Sequence, residues 1–200
     1  LQELQLEGTQ LAGGQQEVIF QSVVLGTKLK KLRVTSSDLS SVEPSLLAQA
    51  ASRLEEVVLA SAGLTCHQIE AILRALNGEA RLARLDLSGN NQLWEVAPSL
   101  LAAALEQLEH LDLSRAFILP TQVDAIFTAF GVQTKTKTLK IGFNNGLMHG
   151  VPAIEYIIPG RTLKDIARVS GNFCEMVEQA ERGRSLSDRN LFILGGAVTF

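Results

Sequence analysis

Leu82 to Asn90, LARLDLSGN, carries leucine at its first, fourth and sixth positions and asparagine at its ninth, and Leu108 to Ser114, LEHLDLS, repeats the leucine spacing. Alternation of leucine with a polar residue predicts a short strand with one buried face. Aligning this pattern along the chain puts unit starts at Leu1, Leu29, Leu54, Leu82, Leu108 and Thr136, spaced by 28, 25, 28, 26 and 28 residues. Any two consecutive units therefore span 53 or 54 residues. A unit of this kind cannot bury its apolar face alone, and stacking on neighbouring copies does it instead.

The later half of each unit reads as a helix. Ile69, Ile72, Leu73 and Leu76 fall at i, i+3, i+4 and i+7, one apolar stripe, and Val123, Ile126, Phe127 and Phe130 repeat it. Thr65 with Gln68, and Thr121 with Asp124, predict helix starts, while Gly78 and Gly131 can take the left-handed turn at the ends. The helices are expected near 66–77 and 121–130. In the first unit Val18, Ile19, Val23 and Val24 follow Gly13 and Gly14; in the second and fourth, Pro44 and Pro98 suit the first helical turn, where a missing donor costs nothing. Val96, Leu100, Leu101, Ala104 and Leu105 make the fourth stripe. In the sixth unit Leu139 and Ile141 are the strand residues, and Val151, Ile154 and Ile158 a helix stripe ended by Pro159 and Gly160.

Beyond residue 160 the pattern weakens. A seventh unit starting at Leu163 or Lys164 brings its stripe, Phe173, Met176, Val177 and Ala180, too early, so residues 161–200 are expected to be a degenerate unit and a C-terminal cap or truncated repeat. Leu191 to Leu194 can open a further strand. A start at Leu1 inside a repeat, and an apolar end at Phe200, are expected of a fragment of a longer chain.

Composition narrows the function. A formal net charge of -3 gives no general field for nucleic acid or an anionic membrane. No apolar run approaches the roughly 20 residues that cross a bilayer, and no targeting segment opens the chain. Cys66 and Cys174, far apart, make no disulfide framework, so a reducing, cytoplasmic setting is expected.

The candidate chemistry lies between the strand leucines, where side chains point away from the core. Lys31, Glu56, Arg84 and His110 hold one such row, and Arg33, Asp86, Asp112 and Lys140 the next. Arg84, Asp86, His110 and Asp112 form the densest charged patch, and all eight are candidate protein-binding residues. His110 beside two aspartates lacks a third ligand at metal spacing or a nucleophile, so no catalytic site, metal or cofactor is expected. Cys66 opens a helix, a place that can lower a thiol pKa, although a packed thiol is the simpler expectation. The KTKTLK run, 135–140, has no aromatic residue to stack bases. Trp94 is expected to pack in the core or at an edge. Asn90 and Asn144, at the ninth position, are expected to bond the turn leaving the strand rather than a ligand.

The units LEEVVLASAGLTCHQIEAILRALNGEARL and LARLDLSGNNQLWEVAPSLLAAALEQL resemble the ribonuclease-inhibitor-like class of leucine-rich repeats, over residues 1–160. The resemblance implies an α/β horseshoe solenoid: a parallel sheet on the concave side, helices on the convex side. It also implies a non-enzymatic scaffold that binds a protein partner on its concave face. Such regions occur in intracellular NOD-like receptors; Ran GTPase-activating proteins and regulators of actin assembly are the alternative. Ribonuclease inhibitors are rich in cysteine, which this chain is not.

Overall fold

The computed structural model describes residues 1–8, 13–26, 28–76, 80–130, 135–141 and 155–157. It is an α/β structure. Strands β1 (Glu3–Glu7), β2 (Lys31–Thr35), β3 (Glu56–Val58), β4 (Arg84–Asp86), β5 (His110–Asp112) and β6 (Thr138–Lys140) pair in chain order, all parallel. Helices α1 (Gly13–Val24), α2 (Pro44–Arg53), α3 (Cys66–Arg74), α4 (Pro98–Gln107) and α5 (Pro120–Phe130) connect the first six strands. Each helix packs on the next.

The leucine spacing explains this layering. Leu32, Val57, Leu85, Leu111 and Leu139 stand in register on adjacent strands and are buried in one cluster with Leu47, Ile69, Ile72, Leu101, Val123 and Ile126 of the helices. The helices thus cover one face of the sheet, and the other stays open. Fully burying a leucine is worth about 1.5–3 kcal/mol, so a one-residue slip in any strand would forfeit several such terms.

Pro44 and Pro98 sit in the first turns of α2 and α4, as their missing donors allow. Thr65 caps α3 in a reciprocal capping box with Gln68. In α5 the start lies earlier than Thr121 and Asp124 predict: the helix opens at Pro120, and Gln122 takes the place that Gln68 has in α3, its Oε1 accepting from the Leu119 amide at 2.8 Å. Proline favours the first helical position over the interior, which moves the boundary. α3 ends at Arg74, short of the expected 77.

The eighth position of every described turn is left-handed: Gly8, Ser36, Ser61, Gly89 and Arg115 have φ of 59°, 53°, 51°, 71° and 56°. This geometry bends the chain off the strand while its amide still serves the next unit, with Gly8, Ser36, Ser61 and Gly89 donating to the carbonyls of Thr35, Ala60, Ser88 and Ser114. Glycine is required at position 89, where a Cβ would collide with Ser61 Oγ. Elsewhere a side chain bears the roughly 1 kcal/mol cost of the left-handed region.

The sheet ends differently from the expected sixth unit. β7 (Glu155–Ile157) lies beside β6 and runs antiparallel to it, with Leu139 opposite Tyr156. A helix was expected over this stretch, but Pro152 and Pro159 leave too few residues between them for a stripe of helix turns, and isoleucine and tyrosine favour the extended form. Val151, Ile154, Ile158, Asn144 and the seventh unit lie outside the described residues.

Candidate protein-binding face

Strand alternation delivers the candidate side chains to the uncovered face. Arg84 stands opposite His110 and Asp86 opposite Asp112 across β4 and β5; Lys31 faces Glu56 across β2 and β3, and Asp112 faces Lys140 across β5 and β6. Arg33, Glu56, Arg84, Asp86, His110, Asp112 and Lys140 line one shallow depression, together with Val58 and Thr138. Lys31 is on the same face but outside this depression.

Most of these charges are already engaged. Glu56, only 8% exposed, accepts from Arg33 Nη2 at 2.5 Å and lies 3.7 Å from Lys31 Nζ. Arg33 also reaches Glu3 at 3.5 Å, and Lys140 Nζ lies 3.8 Å from Asp112. Asp86 and Asp112 each turn one oxygen onto a backbone amide two residues on, Ser88 and Ser114, at 2.9 and 3.0 Å. Arg84 is exposed and makes no ion pair among the described residues.

Burial pushes the Asp112 carboxyl above its usual range, and neighbouring Asp86 adds to the rise against the lowering pull of Ser114 and Lys140. His110 is shifted down by burial and then by the Arg84 guanidinium. Its Nδ1 is buried without a hydrogen-bond partner among the described residues. At neutral pH the imidazole is therefore uncharged, and the face is less positive there than the sequence implies.

Val58, between the charged rows, is 8% exposed, so the face has an apolar spot on β3. The alternation pattern placed Val58 outward without attaching a role to it.

Other expectations fall as follows. Asn90 is 1% exposed and its amide is fully used: Oδ1 accepts from Leu64 N, and Nδ2 donates to Leu59 O and Leu87 O. It is a structural residue of the turn. Cys66 is a buried free thiol whose pKa is raised by burial and then by Glu70 and Glu95, so the helix start does not activate it. Trp94 is 48% exposed, at the surface rather than in the core, because the 3-10 turn Asn91–Glu95 buries Leu93 and turns its neighbour outward.

Sequence reasoning passed over two buried glutamines. Gln68 Nε2 donates to Leu39 O at 2.8 Å and Val42 O at 2.6 Å; Gln122 Nε2 donates to Leu93 O and Val96 O at the same two distances. Each fastens its own helix start to the loop of the unit before it. The signal was available: a glutamine recurring 54 residues later beside a buried apolar stripe.

Compared with known proteins, the chain matches no family model and no curated protein.

Proposed function

We propose that this chain is a leucine-rich repeat solenoid of the ribonuclease-inhibitor-like class and serves as a protein-recognition scaffold, a repeat region of a larger intracellular receptor or regulator. The observation that carries this reading is the division of one sheet into two faces. One face is closed by leucines and helices; the other presents rows of charged side chains around a depression. A preformed surface on a tightly packed support loses little to ordering on binding, which favours recognition of a folded protein. Among the described residues no group of three metal-ligating side chains gathers, and no helix is long and apolar enough to cross a membrane. The buried thiol of Cys66 fits a reducing compartment.

The test is affinity capture on the immobilised chain, with Arg84→Glu and Asp112→Lys compared against the wild type. Capture of one defined protein that is lost on charge reversal supports the scaffold. Retention that ignores both changes counts against the concave face, and stimulation of a small GTPase by orders of magnitude would replace the scaffold with a GTPase regulator.

A further inference from the structure

The charges on the open face do not balance evenly. Glu3 and Glu56 are matched by Lys31 and Arg33 within ion-pair distance. On β4 and β5 two carboxylates, Asp86 and Asp112, stand side by side in register, and the one cation within 4 Å of either among the described residues is Lys140, at 3.8 Å from Asp112. The other register neighbour of Asp86 is Val58, which is apolar. Two ionised carboxylates and one ammonium leave a negative charge uncompensated, at the rim of an apolar spot, inside the depression. Like charges directly opposite on adjacent strands are destabilising, so the free chain bears a cost that a bound cation would relieve.

We propose that the Asp86–Asp112 pair receives a lysine or arginine side chain of the protein partner, its aliphatic stem against Val58 and its charge between the two carboxylates. The inference rests on the reading of this face as a protein-docking surface. Long basic side chains bury their stems on apolar surface while the charged head stays among polar groups, and this site offers both environments side by side. Arginine can in addition bond two carboxylate oxygens in a fork. A bare divalent ion fits less well, because no third carboxylate, histidine or cysteine joins the pair among the described residues. Arg84, exposed and unpaired in the neighbouring row, would meet an acidic group of the same partner, so recognition pairs a base over one row with an acid over the other.

The experiment is selection of random-sequence peptides displayed on phage against the 200-residue chain. Selected peptides are then synthesised and their affinities measured on the wild type, Asp86→Asn, Asp112→Asn, the double variant and Arg33→Glu/Arg84→Glu. Asparagine keeps an oxygen for the Ser88 and Ser114 amides, so the turns survive the loss of charge, and thermal unfolding verifies the fold. The expected peptides are enriched in lysine or arginine, bind about tenfold more weakly to each asparagine variant, and weaken with added salt. Replacing the selected basic residue by norleucine costs as much on the wild type and nothing further on the double variant. This arm holds even if an asparagine variant fails to fold, since the peptide change alone reads the charge. Peptides that lose binding on Arg33→Glu/Arg84→Glu, yet lack a basic residue or bind the asparagine variants unchanged, overturn this inference and leave the docking face standing. Peptides indifferent to every variant, or none selected, overturn the docking face and this inference with it.

Discussion

Residues 54–81 and 108–135 are two copies of one unit, and what they share is internal. Leu54 and Leu108, Val57 and Leu111, Leu59 and Leu113, Ile69 and Val123, and Ile72 and Ile126 fill the same buried places. Gln68 and Gln122 make the same bonds to the loop before them. On the outside the copies part company: Glu56 stands where the later unit has His110, Val58 where it has Asp112, and Gly63 where it has Phe117. The inner set is fixed by packing and hydrogen bonding, whereas the outer set is free to vary with whatever the surface meets. A repeat therefore separates, position by position, what folds from what can bind.

The strongest challenge to this comparison is removal of the shared glutamines. Gln68→Leu and Gln122→Leu each strand two buried carbonyls and a helix-start amide, so each is expected to cost about 3 kcal/mol in urea unfolding. Equal losses in the two units sustain the equivalence, and a small loss in either would break it.

An exchange at the tenth position comes next. Gly63 and Phe117 both have left-handed backbone, with φ of 63° and 54°. A Cβ at Gly63 would sit 3.0 Å from Asp38 Oδ1, so Gly63→Phe is strained twice and should cost about 2 kcal/mol. Phe117, 40% exposed, buries little in exchange for its conformation, and Phe117→Gly should gain about 1 kcal/mol, a rise in Tm of roughly 2–4 °C by calorimetry. A fall in Tm would mean that the phenyl ring packs more usefully than its exposure indicates.

Smaller effects are expected on the open face. Asp112 has a raised pKa, so its contribution to stability is present below its unfolded value and is lost as pH rises through the folded one; ionised at neutral pH, it opposes folding. Asp112→Asn should therefore raise the unfolding midpoint of the free chain slightly, and by less below the folded pKa. A lower midpoint at neutral pH would show that the contact with Lys140 outweighs desolvation. His110 has the reverse dependence: its pKa is depressed, so its contribution is complete above the unfolded value near 6.5 and is lost as pH falls below it. Urea midpoints between pH 8 and pH 5 should decline less in His110→Gln than in the wild type, and parallel profiles would sink this assignment.

The fold was legible wherever period alone determined the outcome. Two leucines flanking one polar residue set Leu85 and Leu87 inward and Asp86 outward, and the structure places them so. Asn90 was legible for a related reason, since a polar side chain at a turn behind a buried strand must spend its bonds on the backbone. Gln68 was read only as a cap, because its second task involves carbonyls of another unit, and local spacing does not express contacts between units. β7 was missed because the helix stripe of Val151, Ile154 and Ile158 was scored without weighing the two prolines around it. For the candidate site, alternation located the row members but not their pairing. That Arg33 bonds Glu56 diagonally while Arg84 makes no ion pair among the described residues depends on register and side-chain reach.

The two glutamines and Asn90 also govern how the molecule can come apart. Gln68 fastens the third unit to the second, Asn90 the fourth to the third through Leu59 and Leu64, and Gln122 the fifth to the fourth. Links of this kind leave no seam at which one unit between residues 29 and 130 can open while its neighbours stay intact. The amides of Leu64 and Leu119, which donate to Asn90 and Gln122, should then exchange with solvent at a common slow rate, as reporters of a single opening event that spans four units.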